Sequence, residues 1–289
     1  MAKLLRAITT DGAVLATALD STDMAARAEQ VHQSSATVTA AMGRLLTAAS
    51  MMGAALKNDG DTITLRISGG GPAGAVIAVS DAYGNARVTA GNPRADLPLN
   101  SKGKLDVGGI IGTDGYLSVI RDSGTGEPQT GYSPIVSGEI GEDLTYFFAN
   151  SEQIPTVCAL GVLVSPDLTV AASGGYLLQL LPGADEETIE RIEKNLPSLK
   201  PVSTMVHEGL APLAMLQKAL EGFELEVIEE RQVEYRCDCS RERVERVLIS
   251  LGTSELEKLA EEQEMTEVAC HFCEKRYTFT SSEIRKLAH

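Results

Sequence analysis

Of the 289 residues, 43% are hydrophobic and 22% are charged, which is ordinary for a globular protein with a sizeable core and excludes a fibrous or largely disordered chain. The formal net charge of −15 disfavours binding to a nucleic-acid backbone. No apolar run approaches the roughly 18 residues of a membrane span, and the start of the chain lacks a signal-peptide pattern, so we expect a soluble cytoplasmic protein with no membrane partner.

The first elements predicted along the chain are two strands followed by two helices. The strands lie within 4–18, around a turn that contains Asp and Gly. Ser21 or Thr22 then caps a helix that runs to about Gln33. A second helix follows from about 36 to 57 and is rich in Ala, Met and Gly. Because small side chains permit close packing against a sheet, we expect this helix in the core.

Strand-like segments dominate the next part of the chain. Three antiparallel strands are predicted within 62–89, and two more over about 116–121 and 130–138. A short amphipathic helix, with carboxylates in its first turn, is predicted from Glu142. Two further strands are expected within 157–181.

These patterns predict three segments. Residues 1–182 are expected to form an α+β domain of antiparallel sheets with segregated helices. At a Pro-Gly pair the sequence changes from alternating, strand-like segments to segments with helical spacing of apolar residues, and we interpret 183–236 as a helical linker. Residues 237–289 are expected to form a small zinc-binding domain. The linker carries an amphipathic set of apolar residues, which are Ile192, Leu196, Leu213, Met215, Leu216, Leu220, Phe223 and Val227.

Two interpretations of this apolar linker surface remain open from its residues. The surface can pack permanently on the first domain. Alternatively, when uncovered, it can bind the apolar segments of other proteins.

Four of the five cysteines form two local pairs near the end of the chain. One residue separates Cys237 from Cys239. After thirty intervening residues come Cys270 and Cys273, which are separated by two residues. Two such pairs supply the four tetrahedral sulfur ligands that zinc prefers in structural sites, so we predict one zinc ion per chain. The second pair is typical of a zinc-knuckle turn inside a hairpin. Since four thiolates leave no position for water, catalytic zinc is disfavoured and no enzyme is predicted.

The cysteine spacing alone leaves three functions open: a permanent structural ribbon, a redox switch and a nucleic-acid-binding zinc ribbon. A domain of about 50 residues needs metal for much of its folding free energy, so oxidation of its thiolates would unfold it. The acidic segment 255–267 argues against nucleic acid. Four arginines near the first cysteine pair are the one local feature that would favour nucleic-acid binding. They alternate with acidic residues and are expected to form helix-face pairs; they are Arg236, Arg241, Arg243 and Arg246.

Other motifs receive structural interpretations. The letters of residues 69–74 match a nucleotide-binding glycine loop, but a strand follows where a helix is required, so we predict a turn. Cys158 lies in an apolar strand and is expected to be buried and unreactive. His271 is expected to face solvent between two sulfur ligands. His32 and His207 have no acid or nucleophile at a suggestive spacing, and no catalytic triad is predicted.

The sequence resembles a known family over nearly its whole length. The resemblance is carried by the four-cysteine pattern, by YSPIVSGEIGEDLTYFFANSEQIPT at 132–156 and by GGYLLQLLPGA at 174–184. These segments are similar to those of the redox-regulated 33-kilodalton heat-shock chaperonins, a family of bacterial holdases.

This resemblance implies a mechanism. In reducing conditions the four cysteines would hold zinc, the C-terminal domain would fold over the linker, and the chaperone would be idle. Oxidation would join Cys237 to Cys239 and Cys270 to Cys273, release the zinc, and unfold that domain together with the linker. The family then forms homodimers that hold unfolding client proteins without ATP. The lack of a phosphate-binding loop with Gly-Lys-Ser/Thr agrees with ATP independence.

Overall fold

A computed structural model describes residues 2–288. They form two compact units, of which the first ends at Arg236 and the second begins at Cys237.

The elements of the first unit are, in chain order, β1 (Ala2–Thr9), β2 (Val14–Asp20), α1 (Thr22–His32), α2 (Ala36–Gly53), β3 (Thr62–Ser68), β4 (Val76–Asp81), β5 (Ala86–Ala90), α3 (Val107–Ile111), β6 (Tyr116–Asp122), β7 (Gln129–Pro134), α4 (Gly141–Phe147), β8 (Thr156–Val164), β9 (Val170–Leu180), α5 (Glu186–Asn195), α6 (Val202–His207), α7 (Pro212–Ala219) and β10 (Leu225–Val233).

Two antiparallel sheets, each of five strands, build this unit. The strand order is β10-β1-β2-β9-β8 in the first sheet and β5-β4-β3-β6-β7 in the second. Helix α2 lies between them, and its side chains share one apolar core with residues of both sheets. Nearly every residue of α2 is buried. The antiparallel sheets and segregated helices confirm the predicted α+β class.

The small residues of α2 are explained by this packing. A Cβ atom at Gly43 would lie 2.8 Å from Cγ2 of Val162, so β8 approaches this turn of the helix too closely for a larger residue. Ser35 caps the helix by accepting a hydrogen bond from the Val38 amide at 3.2 Å. The helix ends at Gly53, four residues before the predicted end at 57.

Helices α5, α6 and α7 cover the opposite face of the first sheet. Ile192, Met205 and Met215 are buried there in a second apolar core, together with sheet residues such as Leu5 and Ala16. The start of α5 is fixed by Asp185, whose side chain accepts from the Thr188 amide at 2.9 Å. Of the eight apolar linker residues, all but Val227 belong to this core or pack against it, whereas Val227 on β10 is exposed.

The segment predicted as a helical linker also contains a strand. Strand β10 pairs antiparallel with β1, as in Lys3 opposite Gln232, and it forms one edge of the first sheet. The prediction missed β10 because an edge strand exposed on both faces carries glutamates at positions that break a simple alternation.

The segment SGEIGEDL, which forms a loop and the first turn of α4, is held by one buried carboxylate. Asp143 Oδ1 accepts hydrogen bonds from the amides of Val136 at 2.8 Å, Ser137 at 3.0 Å and Gly138 at 3.3 Å. Its Oδ2 accepts from the Ile140 amide at 2.8 Å. This loop ends β7 at Pro134, short of the predicted 138, because the following amides turn towards Asp143 instead of a neighbouring strand.

The second unit is a small hairpin with three helices. Its elements are α8 (Arg241–Ile249), α9 (Thr253–Glu262), β11 (Met265–Ala269), β12 (Arg276–Thr280) and α10 (Ser281–Ala288). Its core consists of seven buried apolar side chains, which are Val244, Leu248, Leu256, Ala260, Tyr277, Phe279 and Ile284. Over residues 2–288, none of the helices combines the length and the apolar character needed to cross a bilayer.

Candidate metal centre

Cys270 and Cys273 lie in the turn that joins β11 to β12. The Cys270 amide donates to the Lys275 carbonyl at 2.9 Å, and the Glu274 amide donates back to the Cys270 carbonyl at 2.8 Å. Glu274 has a left-handed backbone with φ of 59°. This closed turn directs both sulfurs to one side, and the expected position of the pair in a hairpin turn is confirmed.

Cys237 and Cys239 lie in an irregular segment that leads into α8. Ser240 caps that helix by accepting from the Arg243 amide at 3.3 Å, which sets the direction in which the chain leaves Cys239. The side chain of Arg243 turns back to pair with Asp238, the residue between the two cysteines. The segment is thus anchored on both sides of its second sulfur.

Folding brings all four cysteine sulfurs together within 4.8 Å of one another. Cys237 Sγ lies 3.7 Å from Cys270 Sγ, and Cys239 Sγ lies 3.4 Å from Cys273 Sγ. Zinc–sulfur bonds of about 2.3 Å in a tetrahedron place neighbouring sulfurs about 3.8 Å apart. The donor set and its spacing therefore fit a metal ion that prefers tetrahedral thiolate ligands, and the four cysteines could hold one.

The proton affinities of these thiols also favour a bound cation. Burial raises the pKa of Cys237 above its ordinary range and raises the pKa of Cys273 to about 11. At Cys239 burial also acts to raise the pKa, but hydrogen bonds from Tyr277 and the neighbouring thiols outweigh it, and the pKa is lowered. Without a cation, the sulfurs cannot all be thiolates at neutral pH, because each additional anion is desolvated and repelled by the others.

Tyr277, which contacts the cluster, was not found from the sequence, and Arg241 was named there only as one of four arginines expected to form helix-face pairs. The Tyr277 hydroxyl donates a hydrogen bond to Cys239 Sγ at 3.2 Å. Arg241 joins three elements: it donates to the Thr278 carbonyl at 2.9 Å, pairs with Glu283 at 2.7 Å, and lies 4.2 Å from the centre of the Phe279 ring. The alternation of Tyr277 and Phe279 after the second cysteine pair is the signal that could have pointed to a buried tyrosine near the sulfurs.

Two of the four arginines near the first cysteine pair, Arg241 and Arg243, form ion pairs with acidic side chains. Arg241 pairs with Glu245 one helical turn away at 3.3 Å, as the sequence predicted for this helix face. Arg243 pairs with Asp238, and Arg241 pairs with Glu283 as well. These pairings reduce the positive charge that the segment could offer to a phosphate backbone.

The remaining sequence candidates take structural positions. Cys158 packs against the main core, and burial raises its pKa to about 12, as expected for an unreactive thiol. His32 is buried, with Nε2 2.8 Å from the Val88 carbonyl oxygen. His207 and His271 are exposed. Residues 69–74 form the predicted turn, in which the Gly74 amide donates to the Gly71 carbonyl at 3.0 Å.

Comparison with known proteins identifies the family. The family model described as Hsp33 protein matches residues 2–280. The chain belongs to the Hsp33 family. It is 46% identical to the 33 kDa chaperonins of Bacillus cytotoxicus and Bacillus cereus over 284 residues, which cover 98% of this chain and 97% of each relative. The crystal structure of the 33 kDa chaperonin from Thermotoga maritima superimposes with a TM-score of 0.90 at 36% identity, covering 99% of this chain and 97% of that one.

Membership in the Hsp33 family confirms the resemblance drawn from the sequence. The chain is accordingly a redox-regulated chaperone, and its cysteine cluster is consistent with regulation by a bound metal and disulfides. The alternative of a zinc ribbon that binds nucleic acid is not favoured.

Proposed function

We propose that this chain is an ATP-independent holdase of the cytoplasm, kept idle by a zinc ion on Cys237, Cys239, Cys270 and Cys273 and activated when those cysteines are oxidised. The observation that carries the proposal is the convergence of four sulfurs within 4.8 Å, from two segments separated by thirty residues, in a chain of the Hsp33 family. Its partners are unfolding client proteins, as the chaperone family implies.

The metal would be held by the four sulfurs alone, one ion per chain. Bound there, it would stabilise four thiolates and link the hairpin turn to the segment before α8. Structural zinc in small domains contributes about 10 to 16 kcal/mol to folding at neutral pH. Because the core of the second unit has only seven buried apolar side chains, this contribution would decide whether the unit is folded.

Oxidation by a peroxide would proceed at one sulfur and then at its neighbour. A thiolate attacks the peroxide oxygen and becomes a sulfenic acid, releasing hydroxide. A second thiolate attacks that sulfur, a disulfide forms, and a second hydroxide leaves. The resemblance to the Hsp33 family implies that the final disulfides are Cys237–Cys239 and Cys270–Cys273. Each disulfide removes two thiolate ligands, so the metal is lost and the second unit unfolds.

Activation also requires a surface that binds clients. Helices α5 to α7 bury an apolar face on the first sheet, and that face would become available if the linker were released with the second unit. We propose that 183–236 acts as this switchable linker between a domain over 1–182 and the domain over 237–289. The oxidised chain would then bind clients as a homodimer.

The test measures zinc and holdase activity on the same sample of the full chain. Zinc content and suppression of citrate synthase aggregation are recorded before and after peroxide at heat-shock temperature, and again after reductant and zinc are restored. We expect about one zinc per chain to leave as activity appears, with both changes reversible. Zinc that stays bound, or activity that is indifferent to oxidant, would show a permanent structural ribbon.

A matched pair of cysteine variants separates the cluster from other thiols. Cys158→Ala is expected to switch as the wild type does, because Cys158 packs against the core of the first unit and is not part of the sulfur cluster. Cys270→Ser is expected to bind zinc weakly and to be active without oxidant. If Cys158→Ala abolished the switch, or if Cys270→Ser required oxidant, the assignment of the four cysteines would be wrong.

A further inference from the structure

We propose that Tyr277 is a positioning residue of the switch: its hydroxyl, through the hydrogen bond to Cys239 Sγ, slows oxidation of the cluster and so sets the peroxide level at which the switch opens. The inference rests on the proposed function and assigns a role to a residue outside the four cysteines. The contact that carries it is the O–H···S distance of 3.2 Å.

The tyrosine is held in place by the fold of the second unit. Tyr277 lies on β12 opposite Val268 of β11, and its side chain is only 7% exposed in the core of that unit. Lys275 Nζ lies 5.2 Å from the centre of its ring. Since the ring is fixed by packing on the hairpin, the hydroxyl is presented to Cys239 without a further ordering cost.

A different kind of donor acts on two of the other three sulfurs. Cys237 receives the backbone amide of Cys239, and Cys273 receives the backbone amide of Lys275. Those amides are fixed by the main chain and would be present with any side chain. The hydroxyl on Cys239 is supplied by a side chain, so its loss changes the sulfur's environment by a single oxygen atom while the hairpin is retained.

A hydrogen bond to a thiolate has a definite effect on its chemistry. It draws electron density from the sulfur, and the nucleophilicity of a thiolate falls roughly threefold for each tenfold loss of basicity. Contacts from outside the ligand set also orient metal ligands, and losing one typically weakens metal affinity by about 10- to 100-fold. Removing the hydroxyl should act in the same direction through both effects: faster attack on peroxide and easier loss of the metal.

The test compares the zinc-loaded full-length wild type with Tyr277→Phe, which keeps the ring in the core. The first readout is the rate of zinc release to a colorimetric chelator at a fixed hydrogen peroxide concentration. We expect release about three to ten times faster in the variant. The second readout is the sulfur-to-metal charge-transfer band of the cobalt-substituted protein, which needs no oxidant. We expect the band to move to longer wavelength, because a sulfur without the hydrogen bond gives up charge more readily.

Two control variants isolate the hydrogen bond. Phe279→Leu weakens the same core without touching a sulfur, so it is expected to reduce the stability of the second unit and leave the cobalt band in place. Tyr132→Phe makes the same chemical change at an exposed tyrosine of the first unit and should alter neither readout.

The outcomes separate this inference from the proposed function. An unshifted cobalt band in Tyr277→Phe overturns the role of the hydroxyl, whether or not the variant loses zinc faster. The proposed switch itself still stands in that case, provided that the wild type loses zinc to peroxide. A shifted band together with an unchanged release rate overturns the role in oxidation. A wild type that retains zinc in peroxide refutes the proposed function, and with it the proposed slowing of oxidation by Tyr277.

Discussion

Replacing Asp143 by alanine is expected to destabilise the first unit by about 3 to 5 kcal/mol. The buried carboxylate accepts four backbone hydrogen bonds, and alanine removes all of them. The amides of Val136 and Ser137 lie partly at the surface and can regain water. The amides of Gly138 and Ile140 are buried, and each unsatisfied buried donor costs about 1 to 3 kcal/mol.

The backbone of the loop adds to this effect. Ile140 has φ of 69°, a left-handed conformation that is unfavourable for a β-branched residue. Such a conformation costs on the order of 1 to 3 kcal/mol and persists because its surroundings enforce it. The Asp143 carboxylate supplies that constraint through the Ile140 amide at 2.8 Å. Without it, the loop should relax and part of the lost stability should be recovered, which keeps the expected loss below the sum of its parts.

The assay is urea unfolding of the zinc-loaded chain, followed by circular dichroism, with zinc content measured in parallel. Asp106→Ala is the matched control, because Asp106 caps α3 through one partly exposed hydrogen bond to Gly109 at 2.9 Å. A loss of about 1 kcal/mol is expected for that cap. Zinc content should be unchanged in both variants. A loss for Asp143→Ala no greater than that of Asp106→Ala would refute the reasoning about the buried carboxylate.

Three further predictions concern other contacts. Arg241→Ala should speed zinc transfer to a chelator roughly threefold to fivefold through loss of the contact with the Phe279 ring, whereas Arg243→Ala, which loses an ion pair exposed to solvent, should change it little. Iodoacetamide at pH 8 should leave Cys158 unmodified in the folded chain, because a pKa of about 12 leaves roughly one thiolate in ten thousand. In guanidinium the same reagent should modify Cys158, and mass spectrometry distinguishes the modified from the unmodified chain. Gly112→Ala should lower the melting temperature more than Gly12→Ala. Both glycines have positive φ, but only at Gly112 would a Cβ atom meet backbone, at 2.2 Å from the Gly69 carbonyl oxygen. Equal shifts in melting temperature would mean that the strain of positive φ, and not the steric clash, determines the loss of stability.

Most of the fold and the sulfur cluster followed from local patterns. Turn residues, glycines and alternation are set within a few residues, and they located α1, α2 and most of the strands in the sheets. The predicted cap of α1 was wrong at Ser21, whose hydroxyl bonds to Thr47 and Ser173 instead of a helix amide. The cysteine cluster was predictable for a similar reason. Each half of the site is a local pair, and only one long-range step, the approach of the hairpin turn to the segment before α8, had to be supplied by folding.

The features that sequence reasoning missed depend on contacts between distant segments. Strand β10 belongs to the first sheet because it pairs with β1, more than 200 residues earlier in the chain. Tyr277 is recognisable as a supporting residue only when its strand is placed beside Cys239, 38 residues away. Tyr277 does alternate with Phe279 along β12, but this alternation does not identify Cys239 as the partner, so tertiary structure was needed to find both contacts.

The two units differ in the size of their apolar cores. Because the linker packs on the first sheet of the first unit, its release on oxidation can be tested separately from the unfolding of the second unit. The first unit has two extended apolar cores, whereas the part of the second unit that the structure describes has one core of seven buried apolar side chains beside the sulfur cluster. Helices α5 to α7 are held by apolar contacts with the first sheet, which oxidation of cysteines does not change directly. If the linker is nevertheless released with the second unit, hydrogen exchange over 186–219 should become at least about tenfold faster after peroxide, while α2 stays protected. Unchanged exchange over 186–219 would mean that this apolar face is permanently packed, and that clients bind elsewhere on the chain.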